Sequence, residues 1–280
     1  MVALPRALPA ARLETFRDRR WALVPPVSVI AFVLIARAAE HASAQGLTYL
    51  ALVGVPALAG LALAWLVRGA RPLLVLLIAP LFALAWADRT GLAGEAAAVA
   101  LSALSCAALG AVIAAVTPKR WLAAGIVAMA AADTALVISD QLQRPNSVLN
   151  AAHPAAGLPR LQSAVFGTAV MGYGDLFVAG ALGGLLALNY RRGEQLRGAA
   201  LTAAFALCFD LLFLVVNELP ATVPVAVALV ALAGIRRGAR VRVRALKMSR
   251  DGDAQDLEAG RGEEEQRRSP AARVSPSSPA

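Results

Sequence analysis

The sequence predicts an all-α, polytopic helical membrane protein. Of its 280 residues, 59% are hydrophobic and only 16% are charged, and the mean hydropathy is +0.64. Soluble domains are about half apolar and about a quarter charged, so this composition is typical of a membrane protein. No run of alternating polar and apolar residues predicts strands, which argues against a transmembrane barrel.

Eight apolar stretches predict membrane-spanning helices, because a span needs about 20 mostly apolar residues. They cover residues 21–39, 47–67, 72–87, 95–117, 121–139, 162–189, 199–218 and 220–235. The breaks between them fall at polar or Gly/Pro-rich stretches. No small-residue cleavage site follows a short apolar core at the start, so the first segment is interpreted as a retained helix and not as a signal peptide.

The basic residues predict the orientation of these spans. Lys and Arg precede the first span, follow the eighth, and occupy the loops after the second, fourth and sixth spans. Because cytoplasmic loops carry an excess of Lys and Arg, both termini are expected in the cytoplasm, and the chain is expected in a plasma membrane of the prokaryotic inner-membrane type. The net charge of +9 is then explained by loops and a tail that face anionic lipid, and nucleic acid is not an expected partner.

Three aspartates fall within predicted spans. Asp133, Asp175 and Asp210 lie in spans five, six and seven, where each charge costs about 2.5–3.5 kcal/mol at a helix centre. At about 1.5 Å per residue, all three lie roughly 10–15 Å below the outer surface. Three acids at one depth suggest a shared polar site, whereas Asp140 falls at the interface and is expected to be solvated.

The second of these acids ends the motif Gly172-Tyr173-Gly174-Asp175. A potassium-channel filter has a similar sequence, but Val170 stands where the filter has a threonine that lines the innermost ion site. Only about 14 residues then remain before the next basic loop, too few for a return loop and a spanning helix. The channel interpretation also leaves Asp133 and Asp210 without a role.

Three elements in order resemble the presenilin and signal peptide peptidase family of intramembrane aspartyl proteases. They are the mid-helix Asp133, the G-x-G-D motif at 172–175, and Pro220-Ala221-Thr222, which is similar to the family's PAL segment. The resemblance covers roughly residues 120–235. This chain departs from the family in having Ala132 where the family has tyrosine, a threonine in place of the PAL leucine, and eight predicted spans where the family has nine.

The resemblance implies a presenilin-like helical bundle with a catalytic pair formed by Asp133 and Asp175. Asp210 has no counterpart in the family and is a possible extra acid or, less favourably, an alternative partner for Asp175. The residues expected to shape the active site are Gly172, Tyr173, Gly174, Pro220, Ala221 and Thr222. The implied substrates are transmembrane or signal-peptide-like helices, and the predicted orientation resembles that of signal peptide peptidases.

Peptide hydrolysis by two aspartates has its own physical requirements. The carboxyl groups must be close enough to share one proton and one water, and two like charges that close cannot both ionise, as in the general case of aspartic proteases. Glycines beside the acid leave room for a substrate backbone. The chemistry needs no organic cofactor and no metal, and the sequence predicts neither.

Two other functions stay open. Prepilin peptidases also use G-x-G-D, and residues 140–146 faintly resemble the segment around their first aspartate, but their motifs face the cytoplasm. Intramembrane acids also bind protons or cations in transporters. Transporters often contain internal repeats, and this sequence shows no convincing one.

These interpretations divide the chain into four regions. Residues 1–20 form a cytoplasmic N-terminal segment, and 21–119 hold the N-terminal transmembrane helices. Residues 120–236 form the half that carries Asp133 and Asp175. Residues 237–280 are basic, then charged and rich in Ser and Pro, and are expected to be disordered.

Overall fold

A computed structural model describes residues 13, 15–67, 69–139, 141, 147–149, 151–152, 154, 157–167, 169–211 and 220–238. Asp140, residues 142–146, residues 212–218 of predicted span seven, residue 219, and the predicted tail from 239 lie outside the described residues. Internal contacts divide the chain into two units, Met1–Val230 and Ala231–Ala280. Within the second unit the structure describes 231–238.

The described chain is mostly helical. A 3-10 turn, Arg19–Leu23, leads into α1, Val24–Ala38, and α2, Glu40–Leu61, continues as a π-helical turn, Ala62–Leu66. A 3-10 segment, Pro72–Leu77, precedes α3, Ile78–Ala87, which is followed by α4, Leu92–Val116, and α5, Lys119–Ile138. After a β-hairpin come α6, Tyr173–Asn189, α7, Arg192–Asp210, and α8, residues 223–238.

Helices stand at all eight predicted positions, but they differ in their capacity to cross a membrane. Among the described residues, three helices are long and apolar enough to do so: Ala42–Leu66, Leu92–Val116 and Lys119–Ile138. Pro72–Ala87 and Tyr173–Asn189 are apolar but shorter. The structure therefore gives a mostly helical chain with three candidate membrane-spanning helices, and the count of eight stays a prediction.

The prediction of one continuous helix over 162–189 is wrong. Residues Ser163–Phe166 and Ala169–Gly172 form strands β1 and β2 of an antiparallel hairpin, with Ser163 opposite Gly172. Gly167 begins the turn with φ +61, a backbone conformation that glycine adopts without a steric penalty. The β-branched Val165 and Val170 pair across the strands, and such residues favour extended backbone over helix.

The helix α4 is at the centre of the core. Its buried residues include Leu101, Leu104 and Ala108, which pack in one hydrophobic cluster with residues of α2 and its π-helical turn. On another side, α4 packs closely on α6 through glycines. A Cβ atom at Gly110 would collide with the backbone of Gly180, so the two helices meet main chain to main chain, as small residues allow in membrane bundles.

Candidate active site

The motif Gly172-Tyr173-Gly174-Asp175 forms a junction between a strand and a helix. Gly172 is the last residue of β2 and the N-cap of α6, and Tyr173, Gly174 and Asp175 form the first turn of that helix. Asp175 is therefore the third residue of its helix and does not lie inside a longer span. This position follows directly from the hairpin, which replaces the first part of the predicted span.

The Asp175 carboxyl folds back over the N-terminus of α6. It accepts a hydrogen bond from the backbone amide of Gly172, in the manner of the acidic residue of a capping box, which satisfies an otherwise unpaired N–H. Its Oδ2 atom would lie 3.0 Å from a Cβ atom added to Gly172. A Cβ atom added to Gly174 would have nothing within 4 Å. The first glycine of the motif thus makes room for the carboxyl, and the second leaves open space beside it.

Asp133 is buried near the end of α5, with 8% of its surface exposed. Its Oδ2 atom accepts two hydrogen bonds from Thr222, one from the hydroxyl at 2.6 Å and one from the backbone N–H at 3.3 Å. Thr222 is fully buried, and its carbonyl accepts from Ala226 in the first turn of α8. Asp133 therefore joins α5 to the start of α8, where the partial positive charge of a helix N-terminus attracts a carboxylate.

The structure brings Asp133 and Asp175 together. The helices that carry them, α5 and α6, pack on each other, and the charge of Asp133 acts on the Asp175 carboxyl. Of the segment 220–222, Thr222 reaches Asp133 directly, whereas Pro220 is partly buried and Ala221 is exposed. The Asp175 carboxyl thus lies at the N-terminus of its own helix, α6, and the Asp133 carboxyl lies at the N-terminus of a neighbouring helix, α8.

Asp210 is placed differently. It is the last residue of α7 and is exposed, whereas Asp133 is buried. Cys208, two residues earlier, is also exposed, whereas Cys106 is buried. Both cysteines are free thiols.

Tyr173 connects the motif to the central helix. Its phenol hydroxyl forms a hydrogen bond with the hydroxyl of Ser105 on α4, and its backbone carbonyl accepts a hydrogen bond from Sγ of Cys106 at 3.7 Å. Sequence reasoning assigned no role to Ser105. A signal was present, because Ser102 and Ser105 are three residues apart in the apolar part of α4 and so share one face of it.

Two more features frame the site. The hairpin is tied to α4 by the amide of Gly167, which donates to Oε2 of Glu95 at 2.7 Å. An apolar groove of about 470 Å³ lies between α5 and the start of α8, and Asp133 is not among the residues that line it. Its lining residues are Val127, Ala130, Ala131, Thr134, Ala135, Ile138, Val223 and Ala226.

No protein-family model, curated protein sequence or solved structure matches this chain significantly. The functional inference therefore rests on the residues and their geometry.

Replacing Thr222 with valine is expected to destabilise the protein by about 1–3 kcal/mol, because Asp133 loses its shorter hydrogen bond in a buried place. Thr222→Ser keeps the hydroxyl and should recover most of the loss. Thr134→Val is the matched control, since the Thr134 hydroxyl bonds only the carbonyl of Ala130 in its own helix. Thermal unfolding of the purified proteins in detergent measures the difference, and equal losses for Thr222→Val and Thr134→Val would contradict it.

Replacing Gly172 with alanine is expected to displace the Asp175 carboxyl by a few tenths of an ångström. The backbone at Gly172 has φ −67 and ψ 148, which alanine adopts freely, so the effect is purely steric. We expect a roughly 10-fold fall in any activity that depends on Asp175, since small misplacements are costly in catalysis. Gly193→Ala is the control, because this glycine also lies in a first helical turn and nothing stands within 4 Å of its absent Cβ. Parallel losses at both glycines would show that the carboxyl contact is irrelevant.

Proposed function

We propose that the protein is an intramembrane aspartyl protease that hydrolyses peptide bonds of transmembrane or signal-peptide-like helices. The observation that carries the proposal is that Asp133 and Asp175 lie on two helices, α5 and α6, that pack on each other, and that the charge of Asp133 acts on the Asp175 carboxyl. Ionisable residues inside membrane helices are rare and mark functional sites by default. A presenilin-like arrangement of about eight spans, with both termini in the cytoplasm, belongs to the same proposal.

In this proposal the two carboxyl groups share one proton and bind one water between them. The ionised carboxyl takes a proton from the water as its oxygen attacks the peptide carbonyl, and the protonated carboxyl donates a hydrogen bond to the carbonyl oxygen. The C–N bond then breaks, and a proton passes from the pair to the leaving nitrogen. Because the pair titrates as a unit, neither residue is assigned permanently as acid or base.

The contacts of Asp133 fit this chemistry. Both bonds from Thr222 fall on Oδ2, and no bond to Oδ1 comes from any residue that the structure describes, so this oxygen is available to a water. Thr222 fixes the carboxyl plane, which is the role that a supporting hydrogen bond plays in a preorganised site. The capping bond from Gly172 fixes Asp175 in the same way.

The surroundings of the site favour an apolar, extended substrate. The open space beside Gly174 allows another backbone to approach Asp175, and the groove between α5 and α8 offers an apolar surface on the two helices that Asp133 joins. A helix that unwinds locally would present both the peptide bond and apolar side chains to these surfaces. The lipid bilayer is the source of such substrates.

The test is cleavage of a fluorogenic transmembrane peptide by the purified protein in detergent. We expect cleavage that is blocked by a peptide isostere with a hydroxyl group at the scissile position, because such a compound imitates the tetrahedral intermediate. The same preparation reconstituted in liposomes is assayed for uptake of protons and monovalent cations. Absence of cleavage across a panel of peptides, together with uptake that depends on Asp133 and Asp175, would replace the protease by a transporter.

A further inference from the structure

The first turn of α6 has an anchor outside its own helix. Tyr173 is held at two points by neighbouring residues of α4, with its side chain bonded to Ser105 and its carbonyl to Cys106. Ser105 is fully buried and Tyr173 is partly buried, so loss of this bond would leave at least the Ser105 hydroxyl buried without its partner. Buried polar groups without partners are costly, and the pair is therefore a strong local constraint.

This constraint acts on the residue two positions before Asp175. The first turn of a helix is its least constrained part, because its N–H groups lack intrahelical partners. Here the first turn of α6 begins directly after the hairpin. Further along α6, Gly180 lies against the backbone of Cys106, and this contact holds the helix against α4. Ser105 extends that contact to the end of the helix where the carboxyl lies.

We infer that Ser105 is a positioning residue of the active site, which sets the place of the Asp175 carboxyl relative to Asp133 through Tyr173. The inference rests on the proposed function. Ser105 contacts neither the carboxyl nor a substrate, so its effect passes through the phenol hydroxyl of Tyr173. Cys106 supports the same turn through the backbone.

Ser102 provides a matched control on the same helix. It is buried, with 1% of its surface exposed, and lies one turn before Ser105. In contrast to Ser105, its Oγ has no hydrogen-bond partner among the described residues. Replacing either serine by alanine removes the same atom from the same helix, but only one replacement breaks a bond to the motif.

The experiment compares Ser105→Ala, Tyr173→Phe, the double variant and Ser102→Ala in the cleavage assay, with wild type and Asp175→Asn alongside. We expect Ser105→Ala and Tyr173→Phe each to lower kcat about 10-fold, the size expected for one lost hydrogen bond that acts on the transition state, while KM stays within about 2-fold. The double variant should lose no more than either single variant, because both break the same bond. At least one limb of the pH–rate profile should move in these variants and stay in place in Ser102→Ala.

A purely structural role for Ser105 predicts other results. The inference is overturned if Ser105→Ala and Tyr173→Phe lower the unfolding temperature but leave kcat and the pH profile unchanged, or if their effects on kcat add. If Ser105→Ala does not fold, Tyr173→Phe, which only removes the hydroxyl, decides the question alone. Failure of the proposed function is recognised separately, because wild type would then be inactive or Asp175→Asn would keep its activity.

Discussion

Asparagine in place of Asp133 or Asp175 is expected to lower peptide cleavage by at least about 10³-fold in either single variant. The amide can neither accept the proton of the attacking water nor share one with its partner, so each substitution removes the acid–base function of the whole pair. Asparagine has nearly the size of aspartate and can still accept the bonds from Thr222, so folding should change little. The measurement is single-turnover cleavage of a transmembrane peptide at a fixed detergent concentration.

Asp210→Asn is the control for this prediction. It makes the same chemical change in an exposed residue at the end of α7, and cleavage should stay within about 2-fold of wild type. The double variant of Asp133 and Asp175 should be no worse than either single variant, because residues that act as a unit are not additive. Substantial activity in either single variant, or an inactive Asp210→Asn protein, would refute the assignment of the pair.

Alanine in place of Gly110 is expected to destabilise the protein strongly. The new methyl group would meet the backbone carbonyl of Gly180, and main chain cannot move aside as a flexible side chain can. Overpacking of this kind costs about 1–3 kcal/mol, and here it falls at the close contact between α4 and α6. We expect a clear fall in unfolding temperature in detergent and, because α6 carries Asp175, a fall in cleavage as well.

Gly54→Ala is the matched control for Gly110→Ala. Gly54 also lies inside an apolar helix that is long enough to cross a membrane, but nothing stands within 4 Å of its absent Cβ. Alanine there should be neutral or stabilising by about 0.5–1 kcal/mol, because glycine in a helix interior has the higher conformational entropy to lose. Equal destabilisation by both substitutions would mean that helix–helix contact at Gly110 is not the cause.

The positions of the helices could be predicted from hydrophobicity, but their lengths and one strand pair could not. Length and apolarity located helices α1 to α8, since a run of apolar residues is a strong signal. The hairpin at 163–172 was not predicted, because the segment from Ser163 to Gly172 is as apolar as part of a span. A short apolar run does not distinguish a strand from a helix. The turn at Gly167 was the one local signal, and it is weak in a chain with 22 glycines.

For the candidate site, the sequence indicated which residues matter but not how their side chains are placed. The cost of burying a charge singled out Asp133, Asp175 and Asp210, because few other residues in these helices are ionisable. The exposure of Asp210 could not be foreseen, since helix depth does not say which way a residue faces. The bond between Thr222 and Asp133 joins residues 89 positions apart, and no periodic pattern in a single sequence encodes such a contact.

The short length of α6 has a consequence for the surrounding lipid. Its 17 residues extend about 25 Å, which is about 5 Å less than the hydrocarbon core of a typical bilayer. If α6 crosses the membrane as proposed, the hairpin before it would fill this difference, and backbone that is not helical is tolerated at membrane depth only where protein or water covers it. A mismatch of this size would then draw the bilayer thinner around the site, so the acyl chain length of the host lipid would set the depth at which Asp175 lies.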